Sequence, residues 1–196
     1  MLTALCCLSL TAPPGPGSDR LAGGDPAPAR ISIESASPEW TRRVEWGLGR
    51  FRAAGLTLPP MTVSVHADMA QCDGNSGLYR PGDSIEVHLC SPSPVESRAA
   101  RLITLHELAH AWAETQLTAS QRDDFLRLRG LDAWTDHRLP RHEWGAEHAA
   151  EVVSWGLMEE PVPIVRIYDA EPADLSIAFD QLVDRPPLWA EGPIDP

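Results

Sequence analysis

The stretch from Val95 to Leu117 most constrains what this chain can fold into, because it reads as a helix that is apolar nearly all round. Apolar residues recur at helical spacing on two of its faces: Val95, Ala99 and Leu102 on one, and Leu105, Leu108 and Trp112 on the other. A helix that is apolar on most of its circumference must be surrounded by protein. We therefore predict that this helix runs through the core.

The rest of the chain reads as short strands and further helices. Period-two alternation predicts strands at 31–35, 61–66 and 83–90, and helical spacing predicts helices at 37–55, 119–129, 143–157 and 175–183. The segment QCDGNSGLYRPG, between the second and third strands, has the composition of turns. We predict an α+β fold in which a small mixed or antiparallel sheet packs on the core helix, with the helix at 143–157 beside it.

The chain length suits one domain. With 196 residues, 43% of them hydrophobic, the chain can build one proper core but not comfortably two. Residues 1–30 are an apolar segment, either a signal remnant or a disordered tail, followed by a flexible leader rich in Pro and Gly. We predict a single domain at 31–190 and a tail at 191–196.

The charge of the chain argues against two classes of partner. All 16 basic residues are Arg, and they face 28 acidic residues, for a net charge of -12. Such a surface repels phosphate backbones and anionic lipid, so neither nucleic acid nor a membrane surface is an expected partner. No apolar run after the first dozen residues is long enough to cross a bilayer, so we expect no integral membrane contact.

Two of the four cysteines belong to the predicted domain. Cys72 and Cys90 lie near the same end of the sheet if the strands at 61–66 and 83–90 are parallel, which would allow a disulfide. The alternative is a pair of buried free thiols in a cytosolic protein. An even pair slightly favours a secreted or cell-envelope location over the cytoplasm.

The sequence HELAH, inside the core helix, has the spacing of a metal site. His106 and His110 are four residues apart on one helical face, so both imidazoles can point at one metal, and Glu107 can reach a metal-bound water. Two histidines and a glutamate in an apolar helix carry a desolvation cost that a metal would explain. The alternative is that both histidines are hydrogen-bonded core residues.

A catalytic zinc needs a third protein ligand. The metzincin pattern would require a glycine and a histidine where this chain has Ala113 and Gln116. Glu147 and Glu151, in WGAEHAAEVVSWGL, are the remaining candidates, and they share one helical face. One of these acids can bind the metal while the other accepts a hydrogen bond from a ligating histidine.

With HELAH and EHAAE in place, the chain resembles the gluzincin clan of zinc metallopeptidases, whose motifs are H-E-x-x-H and a downstream E-x-x-A-[DE]. The resemblance implies a zincin-like fold that binds one zinc ion and hydrolyses peptide bonds. It implies that His106, His110 and Glu147 bind the zinc. It also implies that Glu107 is the general base and that Glu151 is the acid that orients a ligating histidine. Two departures are the 36 residues between the second histidine and the first acid, and Glu in place of the commoner Asp at 151. The longer Glu151 is therefore an alternative ligand, with Glu147 preferred on spacing.

Other residues are weaker candidates for the site. A donor for the developing oxyanion could come from any of four residues, each of which also reads as an ordinary turn or surface residue: Tyr79, His137, His142 and Tyr168. The resemblance implies that the strand at 83–90 lines the cleft and pairs with extended substrate, although it also reads as an ordinary sheet strand. Four tryptophans read as core or as a substrate wall: Trp112, Trp134, Trp144 and Trp155. His66 and His88, both in strands, read as hydrogen-bonded histidines.

Two other classes of function fit the same residues. The ligands could hold a structural zinc without catalysis, although a retained Glu107 argues against this. The chain could also be an inactive interaction domain of the same fold that binds no metal. Zinc analysis separates the last class from the others.

Overall fold

The computed structural model describes residues 30–35, 37–90, 94–163, 167 and 171–191. Within these ranges the strands and α-helices follow one another as β1 (Ile31–Glu34), α1 (Pro38–Ala53), β2 (Met61–Val65), β3 (Gly77–Arg80), β4 (Ile85–Leu89), α2 (Arg98–Gln116), α3 (Ala119–Arg129), α4 (Gly145–Leu157) and α5 (Pro172–Val183). The α+β class predicted from the sequence is confirmed. The predicted leader before Arg30, most of the tail and Tyr168 lie outside the described residues.

The sheet is mixed, in the order β1-β2-β4-β3. β1, β2 and β4 are parallel to one another, and β3 pairs antiparallel with β4. The interpretation of QCDGNSGLYRPG as turns alone was wrong, because its residues 77–80 form β3. A strand of four residues beside Gly, Asn and Pro shows no alternation of its own, and its pairing with β4 is what makes it a strand.

The strand order also corrects the expectation for the strand at 83–90. β4 is paired on both sides, with β2 and with β3, so its backbone has no free edge for a substrate. β3 is the edge strand at this side of the sheet. A substrate strand could therefore add only to β3 here.

Helix α2 runs through the core as predicted. Leu105, Leu108 and Ala109 have no exposed surface, and Trp112 is 5% exposed. α2 packs against α1 on one side and α4 on another, and it also contacts β3 and β4. Helix α2 is thus packed against four other elements.

Local signals determine where the helices begin and end. The side chains of Ser37 and Ser97 accept hydrogen bonds from the first turns of α1 and α2. Thr118 and Gln121 form a reciprocal capping box at the start of α3, which ends at Gly130 in the left-handed conformation. The ends of α1 and α3 agree closely with those predicted from the sequence, whereas α2 begins at Arg98, three residues after the predicted Val95.

A disulfide joins Cys72 to Cys90, across a Cα–Cα distance of 6.1 Å. Both cysteines are buried, and the bond ties the segment before β3 to the end of β4. The parallel pairing of β2 and β4, on which the predicted disulfide depended, is also present. Disulfides persist in oxidising compartments, so the bond points to a location outside the cytoplasm. Separately, no helix in the described part of the chain is long and apolar enough to span a bilayer.

We expect replacement of both cysteines, Cys72→Ala with Cys90→Ala, to lower the free energy of unfolding by about 3 kcal/mol. The bond closes a loop of 18 residues, and a loop of that length restricts the unfolded chain by about this amount. Urea unfolding under non-reducing conditions measures the loss. Wild-type protein in reductant should behave like the variant, and a loss below about 1 kcal/mol would contradict the expectation.

Candidate metal centre

Three side chains from two helices converge on one point. Nε2 of His106 lies 3.1 Å from Nε2 of His110, and Oε2 of Glu147 lies 3.3 Å from the first nitrogen and 3.6 Å from the second. These residues form a group that could hold a metal ion. The four-residue spacing of His106 and His110 predicted that these two histidines could share a metal. The packing of the fold brings Glu147 to them.

The size of this triangle fits a small four-coordinate ion. In a tetrahedral zinc site with bonds of about 2.0–2.1 Å, neighbouring ligand atoms are about 3.4 Å apart. The observed separations of 3.1–3.6 Å bracket that value. Two imidazoles and one carboxylate are also a donor set that zinc prefers.

The packing of α2 against α4 positions the group. His106 and His110 lie one turn apart on α2, and Glu147 lies in the first turn of α4. The start of α4 is held by backbone hydrogen bonds of 3.0 Å from Gly145 to the carbonyl of Ala133 and from Ala146 to that of Trp134. These bonds occupy donors that a helix start otherwise leaves free.

The electrostatics of the group favour a cation. Burial raises the pKa of Glu147, but hydrogen bonds from His106 and His110 outweigh this and hold that pKa well below its usual range. Burial lowers the pKa of His106, but Glu147, Glu107 and Glu151 outweigh it and raise the pKa overall. The carboxylates therefore stabilise a positive charge at the histidines, which either a proton or a metal ion can supply.

Glu147 and Glu151 lie on opposite sides of the His106 ring. Glu147 faces Nε2, whereas Oε1 of Glu151 lies 3.4 Å from Nδ1. The pair does not make a hydrogen bond, and Nδ1 of His106 has no hydrogen-bond partner among the described residues. Glu147 is therefore the acid on the side of the converging atoms, and Glu151 is the acid next to Nδ1.

Glu107 lies at the same cavity as the three candidate ligands. Its side chain is buried, with 6% of the residue exposed, and the cavity has a volume of about 1000 Å³. His110 and Glu147 are less enclosed than His106. A ligand in the cavity could therefore approach both the carboxylate of Glu107 and the three converging atoms.

Two segments line the cavity together with residues of α2, α3 and α4. One is β3 with the residues before it, where Tyr79 stacks on His110 with ring centroids 5.9 Å apart. The other is the loop between α3 and α4, which contributes Trp134, His137 and Trp144. The hydrogen bonds that hold the start of α4 also close this loop at its base, in the manner of an Ω-loop.

The structure separates the weaker candidates. Tyr79 and His137 line the cavity, whereas His142 does not and is exposed beside Glu143, so its other interpretation, an ordinary surface residue in a turn, is the one that fits. Local sequence could not settle this, because His142 lies in a short 3₁₀ turn that faces outward.

The tryptophans divide between the two interpretations that the sequence allowed. Trp134 and Trp144 line the cavity, and Trp112 and Trp155 belong to the core. His66, one residue after the end of β2, and His88, in β4, are hydrogen-bonded, as expected: Nε2 of His66 lies 2.9 Å from Nδ1 of His88, and Nε2 of His88 lies 3.2 Å from Glu86.

Apart from Tyr79, sequence reasoning missed the contribution of β3 to the site. Gly77 lies against Glu107, and Leu78 joins Tyr79 along the cavity wall. No sequence pattern marks Gly77, because its neighbour Glu107 is thirty positions further along the chain.

No protein-family model matches the chain, and neither the curated proteins nor the solved structures provide a significant match. Fold and site together define a small α+β protein with a candidate mononuclear metal centre made of two histidines and a glutamate. Its function must be inferred from the geometry of that centre.

Proposed function

We propose that this protein is a zinc-dependent metallopeptidase of the gluzincin type. The observation that carries the proposal is the convergence of one ligand atom each from His106, His110 and Glu147, 3.1–3.6 Å apart, with Glu107 at the same cavity. Three protein ligands leave one position of a tetrahedral ion free, which is the arrangement of catalytic zinc sites. A structural zinc would need that position closed by a fourth side chain, whereas here a cavity adjoins the ligands.

The residues have distinct tasks in peptide hydrolysis. When bound, zinc polarises the scissile carbonyl and acidifies a water molecule. Glu107 accepts a proton from the attacking water and delivers it to the leaving nitrogen. Glu151 holds the ring of His106 so that Nε2 faces the ion.

Tyr79 and His137 are the candidates to donate a hydrogen bond to the developing oxyanion, since both line the cavity. Burial raises the pKa of Tyr79, so its hydroxyl stays protonated at neutral pH. A protonated phenol is the form that can donate.

The substrate is an extended peptide that adds to the free edge of β3. Cys90 donates a backbone hydrogen bond of 2.8 Å to Ser76, which is opposite it in the β3–β4 register. Bonded and non-bonded pairs alternate along an antiparallel ladder, so Gly77 and Tyr79 direct their backbone N–H and C=O groups away from β4. Those groups are available to a substrate strand beside the metal centre.

We expect the purified protein to contain about one equivalent of zinc, because the site offers three ligands to one ion. Elemental analysis after gentle purification measures the zinc, and hydrolysis of an unstructured protein such as casein measures activity. A chelator should abolish hydrolysis, and added zinc should restore it. Zinc below about a tenth of an equivalent, together with no uptake on titration, would contradict the proposal and favour an interaction domain without metal.

A further inference from the structure

Gly77 leaves no room for a side chain next to Glu107. A Cβ at this position would lie 2.5 Å from Oε1, 2.6 Å from Cγ and 2.7 Å from Cδ of Glu107. Non-bonded carbon atoms approach to about 3.5–4.0 Å, so even the methyl group of alanine would overlap the glutamate. Since Glu107 is itself buried, the two residues are in tight contact.

The backbone at Gly77 needs no glycine for conformational reasons. Among the described residues, the glycines with a positive φ are Gly55, Gly74 and Gly130, and Gly77 is not one of them. Its lack of a side chain therefore matters for space, not for φ. The space that it provides is occupied by Glu107.

The segment before Gly77 is held firmly to the end of β4. The carbonyl of Ser76 accepts the hydrogen bond from Cys90, and the amide of Asn75 donates to the carbonyl of Cys72, at 2.9 Å. Cys72 and Cys90 are joined by the disulfide, so two linkages tie this segment to the end of β4, and the Asn75–Cys72 hydrogen bond braces it internally. A side chain added at 77 would displace Glu107 more readily than the strand.

We propose that Gly77 is a positioning residue. Because it has no side chain, the carboxylate of Glu107 can lie beside the metal centre. The role of Glu107 in this inference rests on the proposed peptidase function. Gly77 touches neither the ion nor the reacting atoms through a side chain; it acts through Glu107.

The first test is Gly77→Ala, with Gly82→Ala as a control in the same hairpin. A Cβ at Gly82 would meet its nearest neighbour, the carbonyl oxygen of Ser84, at an ordinary 3.6 Å. We expect Gly77→Ala to bind zinc normally and to keep the visible spectrum of the cobalt-substituted wild type, because the ligands are untouched. Its kcat should fall by about 100-fold, the effect of a misplacement of about 1 Å. Gly82→Ala should retain the wild-type kcat, and an unchanged kcat in Gly77→Ala would overturn the proposal.

A second comparison separates positioning from a general loss of structure. Glu107→Ala removes Cγ, Cδ and Oε1, the three atoms that the added methyl group would meet. We expect Gly77→Ala to reduce kcat by a smaller factor in the Glu107→Ala background than in the wild type. If the two factors simply multiply, Gly77 does not act through Glu107.

A third measurement needs no activity. Gly77→Ala should lower the midpoint of urea unfolding in the wild type, and should lower it less in a Glu107→Ala background, where the overlap is gone. An equal loss in both backgrounds would overturn the inferred contact. A wild type that takes up zinc but hydrolyses no peptide would instead refute the proposed function, while this comparison still tests Gly77 against Glu107.

Discussion

Glu107→Gln should abolish peptide hydrolysis while the zinc stays in place. The substitution keeps the size and shape of the side chain, but an amide cannot accept the proton of the attacking water. Loss of a general base costs about 10²–10⁴-fold in rate. Glu107 is outside the group of converging ligand atoms, so the zinc content should remain about one equivalent.

The measurement is kcat on a peptide substrate together with elemental analysis of the same preparation. Glu45→Gln, at an exposed position of α1 far from the cavity lining, is a matched control that should leave both unchanged. Hydrolysis within about tenfold of the wild type would rule out Glu107 as the base. Loss of zinc together with activity would instead give Glu107 a part in binding the ion.

Glu147→Ala should weaken zinc binding far more than Glu151→Ala. Oε2 of Glu147 meets both histidine Nε2 atoms, so its removal leaves only two protein ligands. Glu151 meets the opposite side of the His106 ring, and loss of such an orienting partner costs about 10–100-fold in metal affinity. We expect Glu147→Ala to exceed that range.

Competition against a chelating indicator measures the three dissociation constants, with Glu143→Ala as the third variant. Glu143 precedes α4 and is exposed, so its replacement should leave zinc affinity at the wild-type value. The reverse order, with Glu151→Ala the weaker binder, would make Glu151 the third ligand. Equal and small effects would argue that neither acid binds the ion.

The two helices that carry the candidate ligands show what can be predicted from local sequence. Ser97 caps α2, and the four-residue spacing places His106 and His110 on one face of it whatever the remainder of the chain does. The same rule places Glu147 and Glu151 on one face of α4. It cannot say which acid lies nearer the ion, because that depends on how α2 and α4 pack.

The edge strand β3 shows what could not be predicted from local sequence. β3 has four residues, and its neighbours Asn75 and Pro81 favour turns, so only pairing with β4 makes it extended. The order of strands in a sheet follows from contacts between distant segments, which is why β4 was wrongly expected to bind substrate.

The sequence by itself determined the helices, the α+β class and the chemistry of the candidate ligands, because capping, periodicity and side-chain type act over a few residues. Only the tertiary structure decided that β3 is the edge beside the site, that Cys72 reaches Cys90, and that Glu147 meets both histidines. It also decided that Gly77 makes room for Glu107. Each of these is a distance between residues far apart in the chain, and such distances are set by the packing of the whole core.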